Sequence, residues 1–457
     1  MATVETLDAE RIEELSAMFS GTLLQAGDDG YEDARRIHNG LIDKRPALIA
    51  RCRGTADVVD AIALARDTGL EISVRGGGHN VAGRAVTDGG LMIDLAEMKG
   101  IHVDPAAPTV RAQGGVTWGE FNRETALHGL AVTGGQISTT GIAGLTLGGG
   151  LGWLIGTQGL AADNLNSVEL VTAEGEVLSV TADSHPDLFW ALHGGGGNFG
   201  VATSFEYRLY PLAHVVGGLL AYPIDAAGEV LRFYRDFTQS LPDELNVSCV
   251  LAHAPDGSGM KLAALAICHA GSPGQAEKDL APVRAFGTPV VDALGPIPYP
   301  VMNTILDAGY PRGALNYWKS SFMKTIDDGF IDAAIDRFAA TPSPMNAILI
   351  EHLHGAVTRI GAMDTAVPHR DPGYSMLLPS IWMDPADTEA NIAWTRDTYE
   401  TFRPYLADGR WLNYLGDDEQ MDAVRAAYGP NYDRLVEVKR RYDPDNVFHL
   451  NHNIDPA

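Results

Sequence analysis

The chain has 457 residues, 45% of them hydrophobic, and a formal net charge of −26, which leaves room for two globular domains. A field of that sign repels phosphate backbones and anionic lipid, so nucleic acid and membrane surfaces are excluded as natural partners. Cys52, Cys249 and Cys268 show no paired spacing, and no apolar run approaches the roughly 18 residues of a membrane span.

The N-terminal stretch MATVETLDAERIEEL is acidic and amphipathic rather than basic–apolar–small, so a reduced, cytoplasmic protein is expected. Residues 47–75 read as strand–helix–strand: ALIARC, a helix capped by Thr55 and carrying Val58, Val59, Ile62 and Ala65 on one face, a stop at Gly69, then EISVR. LMIDL (91–95) and TVRAQ (109–113) are further strands. Thr117 and Glu120 form a capping box for a helix ending near Gly129. SVELVTAEGEVLSV predicts a hairpin turning at Glu174-Gly175, HPDLFWALH a helix, and VATSFEYRLYP a strand. Residues 215–410 change character, with longer strands such as VSCVLAHAP and KLAALAICHA between helices such as GFIDAAIDRFAA. That is the pattern of an antiparallel sheet with helices on one face. The last segment returns to helix and loop and ends in YDPDNVFHLNHNI.

Three glycine clusters stand out: Arg75-Gly76-Gly77-Gly78-His79-Asn80, TTGIAGLTLGGGLGW (139–153) and HGGGGNFG (193–200). Consecutive glycines let backbone N–H groups converge on an anion with no Cβ in the way. Three such loops imply a long, phosphate-bearing ligand, and a dinucleotide fits better than a mononucleotide. Gly195-x-Gly197-x-x-Gly200 matches the Rossmann fingerprint by letter, yet it follows a helix-like segment and lacks the acidic residue about 20 positions on. His79 has two readings: its imidazole hydrogen-bonds the turn it closes, which is the commoner use of such a residue, or it forms a bond to a bound cofactor.

The segments RGGGHNVAG (75–83), DGGLMIDLAEMKGIHVDP (88–105), GGVTWGEF (114–121), GLTLGGGLGWL (144–154) and GLAADN (159–164) resemble the vanillyl-alcohol-oxidase-type flavoproteins, in their berberine-bridge-enzyme-like branch. The resemblance continues through PDLFWALHGGGGNFGVATSFEYRLYP (186–211), VPHR (367–370), WLNYL (411–415) and KRRYDPDNVFHLNHNI (439–454). It implies an α+β, two-domain PCMH-type FAD-binding fold. The FAD-binding domain is then residues 1–213, completed by a C-terminal segment, 412–457. Residues 214–411 form a substrate-binding domain, an antiparallel sheet flanked by helices.

The resemblance further implies FAD held by an 8α-histidyl bond to His79. Cofactor contacts are expected from Arg75, Gly76, Gly77, Gly78, Asn80, Gly83, Gly135, Thr139, Thr140, Gly141, Gly144, Gly200, Val201, Asn451 and Asn453. Many members add a second tether from a cysteine four residues before the position of Gly141; Ile137 stands there, so a single link is expected. The implied reaction is oxidation of a small alcohol, sugar or amine by hydride transfer to the flavin, with O2 as acceptor and hydrogen peroxide as product. The alternatives are an oxygenating or cyclising flavoenzyme and a flavin-binding protein without turnover.

The resemblance implies that Tyr414, in the place of the last Tyr of the family's Tyr-x-Asn-Tyr pattern, is the catalytic base, with its phenol pKa lowered or its proton moved in concert. Trp411 replaces the first Tyr of the family's Tyr-x-Asn-Tyr pattern. In MNAILIEHLHGAV (345–357), read as a strand, His352 and His354 share a face placed towards the flavin, His352 as a candidate catalytic residue and His354 as a candidate substrate contact, with Glu351 on the other side. Tyr317 and Lys319 in NYWKSSF are candidate substrate contacts. His-x-His has no accompanying acidic or cysteine cluster, so no metal is expected.

Overall fold

A computed structural model describes residues 9–418 and 421–457; the first eight residues of the amphipathic N-terminal stretch lie outside the described residues. Strands Leu48–Arg51, Leu91–Asp94 and Ile72–Arg75 pair in parallel, with Thr22–Leu24 added antiparallel at the edge. The crossover helix Thr55–Thr68 ends at Gly69, whose φ of 68° suits glycine. The expected Thr55 cap is corrected. Gly54 holds the cap position, and the Thr55 hydroxyl hydrogen-bonds the Glu169 carboxylate at 2.7 Å. That bond ties the helix to the neighbouring sheet.

The second sheet is antiparallel, in the order Ile101–Asp104, Thr109–Gln113, Val201–Arg208, Leu165–Val171, Val177–Val180. The last two strands are the expected hairpin, turning where Gly175 has φ 80°. Helix Trp118–Ala126 opens on the Thr117/Glu120 capping box and buries Trp118 and Phe121 against Tyr207. Val171, Val201 and Phe448 join the core that also holds Leu91 and Ile93, which locks the two sheets together.

Residues 214–382 supply all the strands of an eight-stranded antiparallel sheet. Helices Ala227–Phe237, Asp328–Ala339 and Thr388–Phe402 cover one face, where Val230, Phe330 and Trp394 pack on Val247, Ile350, Met376 and Leu378. The other face is turned to the glycine loops. The segment 345–357 is strand only over Ile348–Leu353; Gly355, with φ 68°, starts a turn, so His354 falls beyond the strand.

The C-terminal helices Met421–Tyr428 and Tyr432–Tyr442 bring the chain back to the first two sheets. Lys439, fully buried, donates to Asp443 (2.5 Å) and to the carbonyls of Asn198 (2.7 Å) and Phe448 (3.1 Å). Removing one partner of a buried ion pair leaves the other charge uncompensated, which costs about 3–5 kcal/mol. Lys439→Met is therefore expected to lower the Tm sharply, and thermal unfolding checks it.

Candidate active site

A cavity of about 270 Å³ runs between these layers. Its walls are Gly76–Asn80, Thr140–Gly141, Ala143–Leu145, Gly196–Asn198, Gly200, and the C-terminal Asn451 and His452. Gly135 borders it as well. The glycines are required where loops touch. A Cβ on Gly77 would lie 2.4 Å from the Gly141 nitrogen, and one on Gly141 would lie 2.3 Å from the Gly77 nitrogen. Gly78 has φ +64°.

Five of the expected cofactor contacts, Arg75, Gly83, Thr139, Val201 and Asn453, are not among the residues lining this cavity. The Arg75 guanidinium is used up on Asp94 (2.8 and 2.5 Å) and on the carbonyls of Ala34 and Arg36. Arg75 and Thr139 border a second cavity behind the glycine loop. Val201 is a core residue between the two small sheets. Gly83 forms a tight turn on Ile42, where a Cβ would be 2.5 Å from that side chain. Asn453 is not in the wall that its neighbours Asn451 and His452 form, and its Oδ1 is buried without a hydrogen-bond partner. Asn451 is held by donating to the Gly197 carbonyl at 2.9 Å and by accepting, at its own carbonyl, from Arg84.

His79 lines both cavities, and its Nε2 is enclosed without a hydrogen-bond partner. Burial pushes its pKa down to about 3, so the ring is neutral. Ile137 lines this first cavity, and none of Cys52, Cys249 and Cys268, all buried, borders it.

At the sheet side the wall is Leu306, Tyr310, Trp318, Leu349, Leu377 and Tyr414. Tyr414 is fixed by its own turn: the Asn413 side chain donates to the Leu145 carbonyl (3.1 Å) and accepts from Gly150 N–H (3.2 Å) and the Trp411 indole (3.1 Å). Asn80 donates to the Asn413 carbonyl at 3.0 Å. Trp411 thus replaces a phenol with an indole that braces this turn.

The Tyr414 hydroxyl donates to both Glu351 oxygens, at 3.3 and 3.2 Å. The expected lowering of its pKa is corrected, because burial and the Glu351 charge both hold the phenol well above its usual range. Burial pushes Glu351 up to about 7, offset in part by the Ser375 and Tyr414 hydroxyls.

The faces of the 348–353 strand are also the reverse of those expected. Leu349 pairs with Leu377 and Glu351 with Ser375 on the cavity side. His352 pairs with Tyr374 on the helix-covered side, where it stacks on His354 at 4.7 Å. His354 Nε2 lies 3.3 Å from the Pro242 carbonyl. Neither histidine reaches the cavity. Tyr317 and Lys319 alternate with Trp318 and point the other way, where the Tyr317 hydroxyl donates to Asp418 (2.5 Å), Lys319 pairs with Asp418 (3.0 Å), and Arg396 donates to Tyr317 (2.9 Å).

Residues 46–181 match the family described as FAD binding domain, and residues 411–455 the family described as berberine and berberine like. An FAD-linked oxidoreductase of Dictyostelium discoideum is 31% identical, with 97% of each chain covered. The (R)-6-hydroxynicotine oxidase of Paenarthrobacter nicotinovorans is 32% identical, covering 95% of this chain and 97% of its own. This chain belongs to the berberine-bridge-enzyme-like FAD-linked oxidoreductases. The crystal structure of 6-hydroxy-D-nicotine oxidase from Arthrobacter nicotinovorans superposes with a TM-score of 0.88 at 32% identity, over 96% of this chain and 98% of that one.

The residues present fit FAD. Paired glycine loops bring backbone N–H groups together without side chains, and an unpartnered imidazole nitrogen stands beside them. In this berberine-bridge-like enzyme Gly77→Ala forces the two loops apart, and overpacking of that kind costs about 1–3 kcal/mol. The expected result is a lower ratio of flavin to protein absorbance in the purified variant.

Proposed function

We propose that this FAD-linked oxidoreductase carries its cofactor on a single covalent bond to His79 and oxidises a small alcohol- or amine-type substrate, with O2 as the electron acceptor. FAD would be held by the backbone of Gly76–His79, Thr140–Gly144 and Gly196–Gly200 and by Asn451. When bound, it supplies the acceptor for a hydride from a C–H next to oxygen or nitrogen.

The observation that carries the reading is the Tyr414–Glu351 pair. Tyr414 lines the cavity and donates its proton to a buried carboxylate whose pKa of about 7 matches neutral working conditions. A substrate O–H or N–H donating to the Tyr414 oxygen passes its proton on as the phenol proton moves to Glu351. The phenol therefore never has to persist as a phenolate. Tyr310, Trp318, Leu349 and Leu377 give the substrate an apolar and aromatic wall, which suits a compact ring more than an extended, heavily hydroxylated chain. Residues 214–411 would be the substrate-binding part, with 1–213 and 412–457 holding FAD. Three free, buried cysteines suit a reducing compartment, and we place the protein in the cytoplasm.

The test is to denature the purified protein in acid and map the flavin-bearing peptide. Colour retained on the peptide containing His79 supports the attachment, and colour released to the supernatant overturns it. One hydrogen peroxide per substrate oxidised supports the oxidase reading. Oxygen from isotopically labelled O2 in the product would replace it with the oxygenating alternative.

A further inference from the structure

His79 does not stand alone behind the glycine loop. The His38 ring lies flat against it, with centroids 3.8 Å apart and planes 18° from parallel. His38 is buried, and its Nε2, like that of His79, has no hydrogen-bond partner. Rings stacked face to face cannot share an in-plane N–H···N hydrogen bond, so the pair is a packing contact and not a proton relay. Burial lowers the pKa of His38 to about 4, helped by the Arg312 charge, so two neutral rings meet.

The platform under His38 is rigid. Its N–H donates to the Gly78 carbonyl and its carbonyl accepts from Gly313 N–H, both at 2.9 Å. The next residue, Asn39, is buried. It donates to the carbonyls of Val81 (2.8 Å) and Asn316 (3.0 Å) and accepts from the N–H groups of Leu41 (3.0 Å) and Asn316 (2.9 Å). Segment 38–39 therefore straps the histidine loop to the edge strand Leu315–Met323, which carries Trp318. Both rings border the second cavity, of about 500 Å³, so this side of His79 has space into which an unsupported ring could turn.

We infer that His38 is the positioning residue that holds the His79 ring in the plane required for covalent attachment of the flavin. The inference rests on the covalent reading above. Attachment breaks one C–H bond of the flavin ring methyl and the N–H bond of His79 and forms a C–N bond. The two hydrogens and the electron pair stay on the flavin ring system until O2 takes them as hydrogen peroxide. His38 contributes no atom to this balance; it fixes the direction of the attacking nitrogen.

The experiment compares His38→Leu with His38→Phe in the full-length protein, incubated with excess FAD in air. Intact-mass spectra and in-gel fluorescence give the covalently attached fraction over time, and total flavin and thermal unfolding report cofactor binding and folding. An aromatic pair contributes about 0.5–1.5 kcal/mol beyond burial, so the leucine variant should attach flavin roughly 3- to 10-fold more slowly, while phenylalanine restores the rate. Should the leucine variant not fold, His38→Gln gives the same contrast. Equal rates in leucine and wild-type proteins overturn the inference. Slow attachment in both leucine and phenylalanine variants also overturns it, since the imidazole itself would then be needed. A wild-type protein with no attached flavin removes the covalent reading and the inference together, whereas an attached wild type with an unaffected leucine variant removes only the inference.

Discussion

Tyr414→Phe is expected to lower kcat by about 10²–10⁴-fold, the range for loss of a positioned acid–base group, with flavin content unchanged. Phenylalanine keeps the ring against Trp318, 6.3 Å away between centroids, and removes only the hydroxyl that bonds Glu351. Glu351→Gln tests the same unit from the other end. The wild-type rate should rise with pH through about 7 as Glu351 ionises, and that limb should vanish in the glutamine variant. A rising limb that survives in Glu351→Gln would assign the titration to another group.

The same residue predicts an effect on stability. Its folded pKa of about 7 lies above the ordinary 4.5, so between these values the folded state binds more protons than the unfolded one. Stability attributable to Glu351 is therefore full below the lower value and is lost as pH rises through the upper. Glu351→Gln should raise the Tm above neutral pH and leave it unchanged in acid.

The second large effect is His79→Ala, in which acid denaturation should release all the flavin. The glycine backbone that cradles the cofactor is untouched, so FAD should still bind, without a bond and more weakly. On the proposed attachment, the flavin potential should fall with loss of the tether. Each roughly 30 mV corresponds to a tenfold change in the equilibrium constant of a two-electron oxidation. Spectroscopic titration of the potential measures this directly, independent of turnover. Flavin retained covalently by the alanine variant would move the attachment to another side chain.

How much of this was readable in the sequence follows from the range of each interaction. The Thr117/Glu120 capping box, the Gly69 stop and the Glu174-Gly175 hairpin involve residues a few positions apart, and the structure has all three. Alternation in ILIEHL separates Glu351 from His352, but only the neighbouring strand decides which faces the cavity; Leu377 and Ser375 do so here. Thr55 illustrates the same limit. Its hydroxyl had a local use as a cap, and a carboxylate 114 residues away took it instead. Arg75 sits in a motif that resembles a cofactor cradle, yet the parallel register pairs it with Asp94, and the guanidinium follows. His38 carries no signal in its own neighbourhood, because its contact with His79 exists only after two loops have met.

The cavity walls span the chain from Ile72 to His452, and Phe448 and Asn451 close it from the C-terminal end. During synthesis, the first half can fold its two sheets while the rest is still being made. The flavin pocket cannot form until residues 448–452 have been made and Lys439 has bonded the carbonyls of Asn198 and Phe448. Cofactor capture is thus a late event, and a variant cut before Phe448 is expected to fold much of its body yet emerge colourless.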